Sequence, residues 1–578
     1  MKRLIKYIVL TYIFAMPLLG CESELDITPK GVLTESQLQD PDQLDGFVTA
    51  AYAFMPMSHA FETYNPFIAS LRSDDAYKGG GGLNDQTPWY QMEVFSLTNA
   101  SVGNNDGSWY RGYQGISRAN TAIRVIEAVT VEQYPLKNQR LAEMHFLRGW
   151  IHYKMKRRWK WIPYIDETAT SDDIAQISNH PSDMDNDIPL WQKIREDFQF
   201  AAENLPEVQD QVGRVNRYAA KAYLANTLLW MAYPQNGSHE VTGLDEGKLQ
   251  EALVQVNDII NSGQFSLADD FAFNFMLEYD NQSPESLWEL QFTIDDGTPR
   301  GNLNEGNGLT APWWNPYFSC CDFHKASYNL VNAFRVDENG VPLFDTYNDA
   351  ELQNNYDNYF EDMSFDPRMG HTVAVPGFPW KYQEIPFDST GSRDPGIYGF
   401  MNSMKENVRT DSPGLFNQFW MFNSKNQIEV RYAEVLLWKA EILIKLGRHD
   451  EALPIINQLR ERAANSIEKL RKADGTFPTE YRISPYVDGS NINWTPDNAW
   501  KALMWENRLE MAMEGRRFFD LVRWGVAAEV INAYYEKERQ RYPWMEAAYF
   551  TKGRDEFLPI PQAQMNWSQG VYIQNPGY

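Results

Sequence analysis

Aromatic side chains are the residues of this sequence best suited to bind a ligand at a surface. The chain has 19 Trp, 31 Tyr and 31 Phe, which is 14% of its 578 residues. Trp313 and Trp314 stand side by side in the stretch APWWNPYF, and Tyr317 follows them. A sugar ring has C–H bonds on one face and hydroxyl groups around its rim, so an aromatic plate with a few polar side chains binds it well. Because two adjacent indoles in a loop are difficult to bury together, we expect these three residues to contact such a ligand.

Polar residues that could hydrogen-bond the rim of a sugar occur in three further loop segments. Arg72 and Asp74 precede Trp89 in LRSDDAYKGGGGLNDQTPWY. Asn65 lies just upstream in ETYNPF, and Arg393 lies in STGSRDPG. Guanidinium, carboxylate and amide groups supply the donors and acceptors that hydroxyl groups need. We therefore predict that these four polar residues and Trp89 bind a glycan, together with the three aromatic residues above. The alternative for any loop tryptophan is that its ring packs the loop onto the rest of the protein.

The three cysteines divide into one near the N-terminus and one adjacent pair. Cys320 and Cys321 follow the two tryptophans. In an exported protein, neighbouring cysteines can close a vicinal disulfide or remain as two free thiols, and the sequence leaves both states open. If the bond is closed, the ring is a stiff apolar plate, which we place at the loop surface as a further part of the glycan-binding set.

The N-terminal segment is typical of a lipoprotein export signal. A basic start, MKRLIK, is followed by the apolar run YIVLTYIFAMPLL and then by Gly20 and Cys21. Lipoprotein signal peptidase cuts after small residues that precede a cysteine, so we predict a signal peptide over 1–20 and a lipidated Cys21 carrying palmitate-type chains. Residues 21–38 are acidic and broken by Pro and Gly, which indicates a tether. An ordinary secretory signal with a chance cysteine is the alternative.

Familiar catalytic and metal-binding motifs are missing from the sequence. It contains no G-x-S-x-G, and the four glycines at 79–82 lack the Gly-Lys-Ser/Thr of a phosphate loop. His145 and His152 are seven residues apart, which suits packing better than an i, i+4 metal pair. We therefore predict no catalytic residue, no metal and no cofactor. One alternative is a glycoside hydrolase, which needs two carboxylates at a fixed separation. The other is an interaction scaffold that binds no glycan.

Helical periodicity divides the chain into two scaffold segments around a loop-rich one. Apolar residues recur at i, i+3, i+4 and i+7 across 39–263 and again across 426–578. Between them, 264–425 is rich in Gly, Pro, Trp and Tyr and loses that periodicity, so we predict a loop-rich ligand-binding region. Small residues on the facing helices of 428–463 are typical of tetratricopeptide pairs. The expected fold is mainly α: a tetratricopeptide-like helix-pair scaffold that carries a large irregular loop region.

Several motifs, in this order along the chain, resemble the SusD/RagB family of outer-membrane glycan-binding lipoproteins. They are CESELD, RLAEMHFLRGWIHYKMKRRWKWIP, ENRLEMAMEGRRFFDLVRWG and the terminal QNPGY. Met511 stands where the family commonly has leucine, which is a conservative exchange. The resemblance implies a protein without enzymatic activity that is lipid-anchored in the outer membrane and exposed on the cell surface. It implies capture of an oligosaccharide or polysaccharide and delivery to a SusC-like TonB-dependent transporter.

Charge gives two further expectations. Glu506, Arg508, Glu510 and Arg516 lie at helical spacing, so we predict structural ion pairs between helices and not a ligand site. The chain has 52 Lys and Arg against 78 Asp and Glu, a formal net charge of −26. That field repels phosphate backbones, which argues against nucleic acid as a partner. It also favours a neutral glycan over a strongly anionic one, although a local arginine such as Arg393 could reverse the sign.

Overall fold

The computed structural model describes residues 41–57, 65–98, 103–170, 172–298, 301–350, 356–416 and 421–578. The predicted signal peptide and the whole of the predicted tether, including Cys21, lie outside these ranges. Among the described residues, no helix is both long enough and apolar enough to cross a bilayer.

The fold is mainly α-helical, as the periodicity predicted. The long helices fall where apolar residues recur at helical spacing, and the helices of 264–425 are short. In the described residues the α-helices are α1 (Pro41–Met57), α2 (Asn65–Leu71), α3 (Thr87–Glu93), α4 (Gly103–Glu127), α5 (Lys137–Trp159), α6 (Ile188–Asn204), α7 (Arg217–Ala232), α8 (Glu246–Asn261), α9 (Glu305–Thr310), α10 (Tyr328–Ala333), α11 (Tyr356–Asp362), α12 (Arg368–Thr372), α13 (Pro395–Tyr398), α14 (Tyr432–Lys445), α15 (His449–Ala464), α16 (Pro496–Met511), α17 (Arg517–Arg523), α18 (Ala527–Arg541) and α19 (Gln562–Trp567).

The long helices form a continuous scaffold. Helices α4 to α8 pack in sequence order, each against the next, and α8 then packs against α14. Glycines allow the closest approaches. A Cβ on Gly112 of α4 would lie 2.4 Å from Sδ of Met155, and one on Gly149 of α5 would lie 2.9 Å from Cβ of Asp197. Because α14 also packs against α15 and α16, the N-terminal and C-terminal helices bury a shared core.

Helices α14 and α15 are the pair whose small residues indicated tetratricopeptide-like packing. Ala433, Ala440 and Ala452 are fully buried in the structure, so the two backbones approach closely. Gly447 ends α14 with a φ of 75°, a left-handed conformation that costs glycine little. The N–H of the next residue donates to the carbonyl of Leu443 at 2.8 Å, which closes the helix end.

Short strands connect the loop-rich region to its surroundings. The described strands form four two-stranded pairs, and one of them joins residues near the start of the chain to the loop region. The pairs are β1 (Ala76–Gly79) with β3 (Phe323–Ala326), β2 (Ser286–Leu290) with β7 (Gln427–Arg431), and β5 (Val373–Ala374) with β6 (Asn402–Ser403), all antiparallel, and β4 (Ser364–Phe365) with β8 (Glu480–Tyr481), parallel.

Buried ion pairs of α16 connect the C-terminal helices to the loop-rich region. Glu510 is fully buried and accepts hydrogen bonds from Arg431 at 2.6 Å and from Arg368 at 3.3 Å. Arg462 of α15 also donates to it. One turn earlier, Glu506 pairs with Arg368 at 2.9 Å. The predicted structural role of both glutamates is therefore confirmed.

The two arginines predicted to be structural also have buried carboxylate partners. Nε of Arg508 lies 2.9 Å from Asp75, and its Nη2 lies 3.1 Å from Asp74. Nε of Arg516 lies 3.0 Å from Glu434. Since a buried charge is stable only when it is paired, these contacts stabilise the packing of α16 against the segment before β1 and of the start of α17 against α14.

The two histidines of α5 have protein partners, in agreement with the packing interpretation. Nδ1 of His145 lies 2.8 Å from Asp197. His152 is fully buried, with Nδ1 3.0 Å from the carbonyl of Arg148, while its Nε2 accepts the N–H of Ile165 at 3.3 Å. Burial lowers the pKa of His152 to about 4, because a charged imidazolium would lose its hydration. The ring is therefore neutral at pH 7.

Candidate functional site

The candidate site lies where β1 pairs with β3. That pairing places the glycine loop, residues 79–82, against the backbone that follows the cysteine pair. A Cβ on Gly79 would lie 2.2 Å from the carbonyl oxygen of Asp322, and Gly79 has a φ of 79°, so glycine is required here. The N–H of Gly80 donates to the same carbonyl at 2.8 Å. Backbone contacts thus bring together two segments that are far apart in sequence.

Lys78 holds the glycine loop from the protein interior. Its side chain is fully buried, and Nζ donates to the carbonyls of Gly79 at 3.0 Å and Gly82 at 2.9 Å. The same ammonium donates to the carbonyl of Asp85 at 2.5 Å. Burial lowers the pKa of Lys78 below its ordinary value, while the nearby carboxyl of Glu93 opposes that shift. Three carbonyl acceptors stabilise the charged form and fix the path of the loop.

Arg393 joins the glycine loop to the aromatic loop. Its guanidinium lies over the ring of Trp313, 5.1 Å from the ring centroid, and Nη1 pairs with Asp85 at 2.9 Å. The same Nη1 donates to the carbonyl of Cys321 at 3.1 Å. Trp313 is 44% exposed, and its backbone N–H donates to the carbonyl of Gly391 at 2.9 Å. The structure therefore contains an open, oriented indole with a paired arginine and aspartate beside it.

Trp314, by contrast, does not form an open platform. Trp314 is only 4% exposed. Its ring packs edge-on against the rings of Phe387 and Trp380, at centroid distances of 5.3 Å and 5.8 Å. Tyr317 contacts the ring of Trp314 at 4.9 Å and is partly exposed. The expectation that both indoles face a ligand is therefore wrong for Trp314, because burial leaves its ring no free face. Its contacts fit the alternative interpretation, in which the ring packs the loop onto the core.

Cys320 and Cys321 are joined by a disulfide in this structure, which is one of the two states that the sequence left open. The pair is not at the loop surface, however. Cys320 is 6% and Cys321 is 3% exposed, so the expected surface plate lies within the core of the loop region. What the pair offers the site is the carbonyl oxygen that receives a hydrogen bond from Arg393.

Arg72 and Asp74 are buried in structural contacts and do not face the aromatic loop. Nη2 of Arg72 donates to the carbonyl of Asp555 at 2.6 Å, and its guanidinium lies 4.2 Å from the ring centroid of Phe518. Asp74 is 1% exposed and accepts a hydrogen bond from Nε of Arg517 at 3.0 Å. The sequence suggested rim donors and acceptors, but these groups are already paired inside the protein.

Trp89 belongs to the core behind the glycine loop. It is 3% exposed and packs edge-on against Phe67 at 4.9 Å and Phe323 at 5.0 Å. Its position after the four glycines suggested a loop tryptophan, but the residue lies on α3 and is covered by β3. The side chain of Asn65, the remaining predicted donor, lies outside the described part of the structure.

Two features of the site were not predicted from the sequence. Asp85 was not assigned a role, although its carboxylate pairs with Arg393. Gly81 was not assigned either, although a Cβ there would lie 2.7 Å from Nη2 of Arg393. The contacts of Asp85 and Gly81 with Arg393 join segments that are far apart in the chain, so no local sequence pattern predicts them. An exposed indole flanked by a guanidinium and a carboxylate offers a stacking face, donors and acceptors, which is the chemistry that a polyhydroxylated ring requires.

The helical scaffold with an elaborated loop region is found in solved structures of glycan-binding surface proteins. Surface glycan-binding protein A from Bacteroides fluxus aligns with a TM-score of 0.66 and 21% identity over 93% of this chain and 99% of that one. A laminarin binding SusD-like protein aligns with a TM-score of 0.62 and 20% identity over 93% and 99%. At this identity the similarity establishes the fold.

Sequence comparison identifies the family. The SusD family matches residues 284–578, and a second family, described as starch-binding associating with outer membrane, matches residues 36–229. This chain belongs to the SusD family. SusD-like protein P2 of Formosa agariphila is 24% identical over 99% of this chain and 100% of that protein. The family resemblance and the fold class inferred from the sequence are confirmed.

Proposed function

We propose that this protein is a surface glycan-binding lipoprotein that captures an oligosaccharide or polysaccharide at the loop site. The observation that carries the proposal is Trp313, which is 44% exposed and lies under the guanidinium of Arg393 with Asp85 beside it. Solved relatives support it by their ligands: surface glycan-binding protein A from Bacteroides thetaiotaomicron, 20% identical, is described in complex with laminarihexaose.

The charge pattern of the site favours a neutral glycan. The guanidinium of Arg393 lies over the ring of Trp313, and Asp85 already pairs with it at 2.9 Å. A uronate or sulfate would have to compete with that carboxylate inside a chain whose formal charge is −26. Hydroxyl groups can instead accept from the guanidinium and donate to the carboxylate without breaking the pair. Stacking on Trp313 supplies the apolar contact.

Affinity electrophoresis tests this proposal directly. The full-length protein, purified in a detergent that has no sugar headgroup, is run through native gels containing laminarin, starch, xylan, mannan or alginate. We expect a neutral polymer to retard it. Trp313→Ala should weaken retardation by about tenfold, the loss of one aromatic stacking contact. Arg393→Met should also weaken retardation, because it removes the hydrogen-bond donors beside the ring.

A control variant with a different exposed aromatic residue is run in the same gels. Tyr549→Ala removes an aromatic that is 59% exposed in another part of the chain and is expected to leave retardation unchanged. Full retardation of Trp313→Ala would place the site elsewhere. Release of reducing sugar during incubation would favour the hydrolase alternative.

We further propose that the protein is anchored in the outer membrane through Cys21 and delivers its glycan to a SusC-like TonB-dependent transporter. The family resemblance and the sequence around Cys21 support this step. Cys21→Ser should shift the protein from the outer-membrane fraction to the soluble fraction, because several acyl chains anchor far more firmly than none. An affinity tag at the C-terminus should recover a large TonB-dependent barrel protein from solubilised membranes. Recovery of no such protein would contradict the delivery step.

A further inference from the structure

A second groove with exposed aromatic side chains lies between α4 and α19. It has about 750 Å³ of empty space, part of it open to solvent. The aromatic loop site uses none of its residues. Its lining residues that bear on ligand binding are Tyr110, Tyr113, Ser117, Arg124, Gln564 and Trp567.

Two aromatic side chains of the α4–α19 groove are open to solvent. Tyr110 is 58% and Trp567 is 47% exposed. Trp567 is supported from behind, because its ring contacts that of Tyr572, which is 5% exposed, at a centroid distance of 6.2 Å. Tyr113 is held as well, since its hydroxyl donates to the carbonyl of Pro163 at 2.8 Å. The groove thus offers aromatic faces whose supports are fixed before any ligand binds.

Polar side chains line the same groove. Arg124 donates to the carbonyl of Glu167 at 3.0 Å and to the hydroxyl of Thr121 at 3.2 Å, and it has no carboxylate partner among the residues that the structure describes. Asp166 also lines the groove and accepts both the N–H and the hydroxyl of Thr168. One positive and one negative side chain leave the groove near neutrality, so an uncharged ligand fits it best.

We propose that the α4–α19 groove is a second binding site for neutral oligosaccharide, separate from the Trp313 site. The choice of a sugar as the ligand of this groove rests on the proposed function, whereas the position of the groove follows from the structure alone. A buried structural role does not explain Tyr110 and Trp567, because both keep about half of their surface exposed. Two sites on one anchored protein could bind the same long polymer at once. The apparent affinity for the polymer would then exceed the affinity of either site alone.

Saturation-transfer NMR with the full-length protein tests the groove. The probes are laminarihexaose, maltohexaose, cellohexaose, xylohexaose and mannohexaose, in a detergent without a sugar headgroup. The variants are Trp313→Ala/Arg393→Met, Tyr110→Ala/Trp567→Ala and the combination of all four changes. Ser117→Trp fills the groove without removing any of its aromatic residues. We expect at least one hexasaccharide to give a signal with Trp313→Ala/Arg393→Met that the combined variant loses.

The outcomes separate this inference from the proposed function. Loss of all signal in Trp313→Ala/Arg393→Met, with wild-type signal in Tyr110→Ala/Trp567→Ala and in Ser117→Trp, would overturn the groove and leave the first site intact. The reverse pattern would support the groove and overturn the first site. No signal from any probe with the wild-type protein would overturn both. With the parent polymer, removing either site should lower the apparent affinity by about a hundredfold.

Discussion

Glu510→Gln is predicted to destabilise the protein strongly, because Glu510 is the acceptor shared by three buried guanidiniums. Arg431 lies 2.6 Å and Arg368 3.3 Å from its carboxylate, and Arg462 also donates to it. Glutamine keeps the shape but removes the negative charge, so each of the three arginines would lose one buried carboxylate partner and keep only its others, such as Glu285 and Glu506. Breaking a buried pair in this way costs about 3–5 kcal/mol. The free energy of unfolding is measured from urea titrations followed by tryptophan fluorescence and helical circular dichroism.

The pH dependence of the same variant separates charge from shape. Burial alone would raise the pKa of Glu510, but Arg462, Arg431 and Arg368 outweigh burial and hold it far below its ordinary value of 4.5. A carboxyl with a depressed pKa in the folded state stabilises it above pH 4.5, and that stabilisation is lost as the pH falls towards the folded-state pKa. The deficit of Glu510→Gln should therefore be largest near pH 7 and should shrink below pH 4.5.

A surface glutamate gives the matched control. Glu451 pairs with Arg448 at 2.7 Å, but both side chains are largely exposed, so Glu451→Gln is expected to change the unfolding midpoint by no measurable amount. If Glu510→Gln is no more destabilising than Glu451→Gln, the buried network does not hold the helices together. A deficit that stays constant from pH 7 to pH 3.5 would show that lost packing, and not lost charge, is responsible.

Three further substitutions test other parts of the structure. Between pH 6.5 and 4 the wild-type protein should lose stability, because His152 binds a proton in the unfolded chain but not in the folded protein, where its pKa is about 4. His152→Gln should reduce that loss of unfolding free energy by up to about 3 kcal/mol. Gly81→Ala should weaken glycan retardation in affinity gels by about threefold to tenfold, because its methyl group displaces the guanidinium that lies over Trp313. Asp74→Asn should lower the free energy of unfolding by about 3 kcal/mol and leave the affinity of the folded protein unchanged.

Each of these substitutions has a control or a contradicting result. His180→Gln changes a partly exposed histidine and should keep the wild-type pH profile, so an equal flattening in both variants would contradict the prediction. Gly243→Ala adds a methyl group with nothing within 4 Å and should not affect retardation. Loss of glycan affinity in Asp74→Asn at unchanged stability would return Asp74 to the binding set.

The helical scaffold was predictable from sequence because its signal is local. The stretch RYAAKAYLANTLLWMA matches α7, residues Arg217–Ala232, since apolar and small residues fill a face at helical spacing. Charge spacing was equally informative in α16, where Glu506 and Glu510 form the predicted buried pairs. For α7, residues three or four apart determine the outcome, so a short window of sequence contains the information. For α16, the spacing indicated a structural role for the two glutamates, but their partners Arg368 and Arg431 are distant in sequence and only the fold identifies them.

The candidate site was only partly predictable because exposure depends on distant residues. Trp313 and Trp314 are neighbours in one motif, yet one is 44% and the other 4% exposed. Packing against Trp380, more than sixty positions later, makes the difference. Trp89 is covered by Phe323 from β3 for the same reason. A sequence shows that an aromatic lies in a loop, but which ring face stays open is set by contacts between segments.

The scaffold and the ligand-facing loops are held by different interactions, and this difference indicates which part can change. Glu510 connects α16 to three buried arginines, each of which would lose a carboxylate partner in the core if Glu510 were replaced, so substitution there is costly. Trp313 is held by one partly exposed guanidinium and by a backbone hydrogen bond to Gly391. Changes in the glycine loop or around Arg393 therefore reshape the stacking surface without touching the buried pairs. Ligand preference can diverge in these loops while the helical scaffold persists.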